Sequence, residues 1–228
     1  MARRLIAPLL FGLIGAGILT GLGLWQVQRL VWKESVLAAM DARLGATPVA
    51  LPPTPDEGRD EYLAVTVEGS LLPGEIHVLT SRRGFGAGYR VIAPFDTGAG
   101  VVLVDRGFVR QRDKAVPRGL FAGRVTGNLL WPDEVDRRFT PSPDADAAIW
   151  FARDLPAMAA QLGSAPVLIV LRAPASGQNA PVVWPVSSAA IANDHLQYAI
   201  TWFSLALVWL GMTAYLVWRI TRKSDENA

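Results

Sequence analysis

Two imidazoles and no thiol set the limits of the chemistry open to this chain. His77 and His195 are its only histidines and cysteine is absent, which removes disulfides, thiolate zinc centres, covalent c-type haem attachment and cysteine nucleophiles together. A zinc centre or a Ser/His/Asp triad needs several such groups converging, and neither histidine stands in a nucleophile-elbow sequence. Copper handling is disfavoured as well, because thiolates and Met-rich clusters are both missing. Gly84, Gly86 and Gly88 lead into no helix and no Walker lysine follows, so they read as a loop joining strands. Asp105, Arg106 and Gly107 close an apolar run and read first as an ion pair beside a tight turn, with a site role as the alternative. His77 falls inside an expected strand and reads as an ordinary surface or half-buried residue. His195 heads an apolar helix, where a polar side chain hydrogen-bonds to Asn193 or to the preceding domain. A non-enzymatic role is therefore expected.

The elements that would hold these groups are set by hydrophobicity. Hydrophobic residues make up 51% of the 228 and the formal charge is +2. The charge balance is too mild, and too evenly spread, for a nucleic-acid binder. No charged residue lies between Leu5 and Trp25, a length that just crosses a hydrocarbon core of roughly 30 Å. The run continues past the length of a secretory signal, which favours an uncleaved anchor. A second apolar run from Leu196 to Trp218 is followed by Arg219, Arg222 and Lys223. With Arg3 and Arg4 ahead of the first run, the positive-inside rule puts both termini in the cytoplasm and the middle of the chain across the membrane, with Trp25 and Trp202 at the outer interface. Gly17 and Gly21 form a Gly-x-x-x-Gly pair, and Gly12, Gly15 and Ala16 add small surfaces that let another helix backbone approach closely, the second span being the nearest available partner.

Between the spans, Trp32 to Leu44 continues as helix and stops before Pro48. The expected divisions are 1–4 as a tail, 5–26 as a first transmembrane helix, 27–47 as a helical extension and the start of a linker, 48–60 as a Pro-rich linker, 61–192 as a β-rich periplasmic domain, 193–218 as a second transmembrane helix, and 219–228 as a tail. Short β-branched runs at 62–67, 76–80, 89–94, 101–104, 124–130 and 167–172 predict strands. The segment 155–162, with Asp154 placed to cap it and Pro156 in its first turn, predicts one short helix. Long crossover helices between strands are lacking, so the fold class expected is a membrane α plus β chain, its domain a predominantly antiparallel sheet or small open barrel.

Several segments, in order, resemble the surfeit locus protein one (Surf) family of cytochrome c oxidase assembly factors. The run Gly23 to Lys33, with Trp25, Gln26, Arg29 and Trp32, is similar to that family's Leu-Gly-x-Trp-Gln-x-x-Arg-x-x-Trp-Lys signature. Gly88 and Tyr89 before Pro94, then Leu103 to Val109, resemble its Gly-Tyr and Val-Asn-Arg-Gly-Trp-Val segments, with Asp105 and Phe108 as departures. Phe139 and Pro141, then Trp150 to Leu155, match the stretch before a short helix. Asn193 to Trp202 resembles the Asn-x-His-x-x-Tyr-Ala-x-Thr-Trp lead-in to the second span.

The resemblance implies a factor of the bacterial inner membrane that serves a haem-copper oxidase and hands haem a to its catalytic subunit I. Haem a synthase and the lipid bilayer are the other implied partners. A scaffold that never touches haem is the alternative. On helices, Trp25, Arg29 and Trp32 share one face and His195, Tyr198, Ala199 and Trp202 share another. Under the family reading these become two facing stripes: His195 ligates haem iron, Trp25, Tyr198 and Trp202 pack on the macrocycle, and Arg29 pairs with a propionate. Interface anchoring is the plainer account of Trp25, Arg29 and Trp202.

Overall fold

The computed structural model describes residues 2–136, 138–144, 148–175 and 178–225. The chain divides into two compact units, one made by the terminal segments up to Ala39 and from Ser188, the other by Met40–Ser187.

The terminal segments contribute two helices, α1 (Ala2–Gly45) and α4 (His195–Asp225). Their most apolar stretches have mean hydropathies of 2.2 and 1.7, long and apolar enough to anchor the chain in a membrane. The two helices pack antiparallel through small residues of α1: Gly12 meets Thr213, Gly15 meets Trp209, and Gly23 meets Phe203. A Cβ at Gly12 would fall 2.2 Å from Thr213 Cγ2, so backbones come this close only because the side chain is missing. Ala16, Ala199 and Ala206 are buried along the same seam. Trp209 donates its indole N–H to the Gly12 carbonyl at 3.1 Å and lies against the Phe11 ring. Gly17 and Gly21, the pair expected to pack on a helix, have nothing within 4 Å of their Cβ positions.

The central unit is built on one eight-stranded sheet: β1 (Val49–Ala50), β2 (Ala64–Leu71), β3 (Ile76–Arg82), β4 (Gly86–Asp96), β5 (Val101–Arg110), β6 (Ala122–Leu130), β7 (Ile149–Trp150) and β8 (Leu168–Leu171), in the order β1-β2-β6-β8-β5-β4-β3-β7. Two short helices complete it, α2 (Glu57–Asp60) within the proline-rich segment and α3 (Leu155–Leu162). The sheet is mixed and is not a barrel, which corrects the expectation of a mainly antiparallel sheet or open barrel. β1 pairs with β2, β7 with β3 and β8 with β5, all in parallel, while β1 and β7 remain as edges.

The cause is the strand that arrives last. β8 inserts between β6, which it meets antiparallel, and β5, which it meets in parallel. Leu168 and Val170 point to one core with Ile76, Ile92, Leu103 and Met158. Ile169 and Leu171 point to the other with Val65, Phe95, Val104 and Leu129. A strand buried on both faces needs an unbroken apolar run, which is what Val167 to Leu171 supplies. α3 covers the first of these cores with Leu155, Met158 and Ala159. Asp154 caps it by accepting from the Ala157 N–H at 3.1 Å, and Gly163, in the left-handed region, ends it.

β5 does not stop at Asp105. It runs on to Arg110, and where Val91 faces Gly107 while Ile92 faces Asp105, Arg106 is the extra residue of a bulge. Gly107 takes the positive φ of +114° that the bulge requires. Asp105 is ion-paired, but with Arg90 and not with its neighbour Arg106, and a bulge stands where the tight turn was expected.

Candidate functional site

His195 opens α4 and is half-buried. Its Nδ1 lies 2.7 Å from Oε1 of Gln26 on the partner helix, so the hydrogen bond runs neither to Asn193 nor to the central domain. Gln26 is only 9% exposed. It belongs to the signature run on α1, yet the site expected from sequence does not include its amide. The available signal was its spacing from Gly12, Gly15 and Gly23, which places a polar side chain on the same helix seam as the small residues. Seven residues beyond Gln26, Lys33 donates to the Ala192 carbonyl just ahead of α4. The Asn193 side-chain oxygen is buried there without a hydrogen-bond partner.

Trp25, Arg29 and Trp32 do share a face. The Arg29 guanidinium sits 5.8 Å from the Trp25 ring centre and 5.0 Å from that of Trp32, a cation held over two indoles. The face is outward, with Trp25 49% and Trp32 55% exposed. On the other helix His195 lies on the seam with buried Ala199, Trp202 is partly buried, and Tyr198 is exposed on the flank. One of the two stripes therefore faces the partner helix. The stripe carrying Arg29 borders the seam, because Trp25 precedes Gln26 by one residue and so by about 100° of helix.

Two further polar clusters lie in the central domain. Asp105, fully buried, accepts from Arg90 Nη1 at 2.5 Å and from the Gly107 N–H at 2.9 Å, with Arg153 Nη1 at 3.8 Å. Arg90 stacks on Trp184 at 4.3 Å, and Arg153 is also paired with Glu134. These contacts bind β4, β5 and the segment before α3 into one network, a structural role that needs no ligand. His77, expected at or near the surface, is instead 7% exposed. Its Nε2 is 2.9 Å from Arg118 Nη2 and 3.3 Å from Glu75 Oε1, and the Tyr89 ring meets it edge-on. Burial works against the Glu75 charge, but hydrogen bonds from His77 and Arg118, with the Arg118 charge, hold its carboxyl down to about 2. Burial lowers the Arg106 guanidinium in the same cluster, against the opposing pull of Glu75. Arg118 also donates to the carbonyls of Asp113 and Lys114, at 3.2 and 2.9 Å, and so ties down the loop after β5. No group of three or more metal-ligating side chains occurs among the described residues.

The geometry thus leaves His195, held across a helix pair, as the imidazole outside the domain's ionic clusters. Known proteins align with the chain over both helices and the sheet. The model of the SURF1 family matches residues 13–207. A SURF1-like protein of Monosiga brevicollis is 32% identical, over 91% of this chain and 87% of that protein. Surfeit locus protein 1 of Homo sapiens is 32% identical, over 86% of this chain and 71% of its own length. A SURF1-like protein of Rickettsia felis is 33% identical, over 86% and 90%. Because the matched span takes in Gln26, His195 and every strand between them, the chain belongs to the SURF1 family.

Proposed function

We propose that this protein is a membrane-anchored assembly factor for a haem-copper cytochrome c oxidase, which holds haem a transiently at His195 and passes it to the catalytic subunit I. The observation that carries the reading is the His195–Gln26 pair. One ring nitrogen is occupied by a neighbour at 2.7 Å, which leaves the other as a donor for iron. The donor set fits: one imidazole, a guanidinium flanked by indoles to meet a propionate, and apolar helices beside which a hydrocarbon tail can lie. The chain's part is to hold and orient the cargo without changing it. Both termini lie in the cytoplasm and the sheet domain in the periplasm, a topology that rests on Arg3, Arg4, Arg219, Arg222 and Lys223 flanking the apolar helices.

The test is the visible spectrum of the full chain purified in detergent after co-expression with the enzymes that make haem a, wild type beside His195→Ala. A stoichiometric haem a band that the variant loses or shifts supports the reading. Wild-type protein that holds no haem, while oxidase assembly still depends on it, replaces the reading with a scaffold.

A further inference from the structure

Among the described residues, Gln26 is the only polar side chain of α1 or α4 that is buried. An amide placed between apolar helices without a partner is costly, so its one strong contact decides what it is for. That contact is between Oε1 and His195 Nδ1 at 2.7 Å. An amide oxygen only accepts, so the proton of the neutral imidazole sits on Nδ1 and the lone pair on Nε2. Neutral histidine free in water prefers the opposite arrangement, with its proton on Nε2.

We propose that Gln26 is a positioning residue, which selects the His195 tautomer and fixes the plane of its ring so that Nε2 is presented as an electron-pair donor. The use made of that donor rests on the haem reading above; the tautomer itself does not. The acceptor is carried by α1 and the imidazole by α4, so the donor is prepared only while the two helices are paired. Lys33, bound to the Ala192 carbonyl, holds the backbone leading into α4 from the same side. The small-residue seam at Gly12, Gly15 and Gly23 brings the helices close enough for the amide to reach. Parting the helices removes the acceptor and releases the ring to its solution preference, which couples the hold on a metal to helix pairing.

Nitrogen NMR of the full chain in detergent, labelled at histidine and tryptophan and kept mildly alkaline, reads this directly. Signals lost in His195→Ala identify the residue against His77. The expected wild-type pattern is a pyrrole-type Nδ1 and a pyridine-type Nε2. Gln26→Leu should lose the pyridine-type Nε2 signal, and Gln26→Glu, which keeps an acceptor, should retain it. In haem-loaded protein, Gln26→Leu should weaken the hold by about tenfold or more and shift the reduction potential, with Gln26→Glu closer to wild type. A pyrrole-type Nε2 in wild type overturns the proposal. So does an unchanged pattern in Gln26→Leu while the Trp209 indole signal shows the helices still paired. If the tautomer follows Gln26 but no variant, wild type included, holds haem, the positioning role stands and the cargo reading falls.

Discussion

One methyl group at Gly15 should part the helix pair. A Cβ there would stand 2.4 Å from Trp209 Nε1 and 2.5 Å from its Cε2, where non-bonded carbons rest at roughly 3.5–4.0 Å. The indole has to retreat by about 1 Å, and its 3.1 Å bond to the Gly12 carbonyl goes with it. Overpacking of this kind costs about 1–3 kcal/mol and an interhelical hydrogen bond in a membrane about 0.6 kcal/mol. Together these shift the paired state by roughly fifteen- to four-hundredfold. Gly17→Ala, with nothing within 4 Å, should leave pairing unchanged. The Trp209 indole N–H, bonded to the Gly12 carbonyl only while the helices are paired, reports pairing in nitrogen–proton NMR of the full chain in detergent. Its signal should move in Gly15→Ala and stay in place in Gly17→Ala. An unmoved signal in Gly15→Ala, or an equal shift in Gly17→Ala, would refute the seam.

The central domain gives three further expectations. Glu75 is held at about 2 against an ordinary 4.5; below pH 4.5 the unfolded chain takes up a proton that the folded one still refuses. Its stabilisation, roughly 3 kcal/mol at most, is present above that pH and lost on acidification towards 2. Denaturation midpoints of wild type and Glu75→Gln should therefore differ at neutral pH and converge in acid. Asp105→Ala leaves Arg90 without its carboxylate in a buried site, while Arg153 keeps Glu134, and should cost about 3–5 kcal/mol. Asp105→Asn keeps an acceptor for the Gly107 N–H and should cost less, measured by the same unfolding. Gly107→Ala sets a Cβ 2.3 Å from the Val182 carbonyl oxygen at φ +114° and should cost about 2 kcal/mol or more, visible as a lower thermal midpoint.

The long apolar helices were legible because a charge-free stretch of membrane length, bounded by cations, suits a bilayer and fits poorly anywhere else. Strand centres were legible as well, since β-branched runs such as Ile76 to Thr80 carry their own signal. Edges and pairings were not. The apolar run at Leu168–Leu171 is the same whether its neighbours run with it or against it; the parallel partner is chosen by where the chain returns after α3. Asp105, Arg106 and Gly107 looked like a turn because glycine and charge usually end strands, whereas here a bulge absorbs them and neighbouring arginines neutralise the acid. Gly17 and Gly21 have the spacing of a packing motif, but spacing cannot say which face meets the partner; the seam repeats through Gly12, Gly15, Ala16, Gly23 and Gln26. His195 was visible as a rare imidazole. Gln26 was not, because a glutamine shows its purpose only beside the ring it holds.

The place of β8 has a consequence for how the protein is made. A ribosome delivers β5 and β6 well before Leu168, yet in the finished sheet they lie on either side of β8 and not beside each other. Until that strand is synthesised, each keeps an open ladder facing the other across a gap of one strand width. The nascent domain is then exposed to mispairing of β5 with β6, a register that would have to be undone before the native sheet could close. Only about two dozen residues separate β8 from the start of α4. The strand that closes the sheet is therefore among the last parts of the domain to leave the ribosome, with the second apolar helix close behind it.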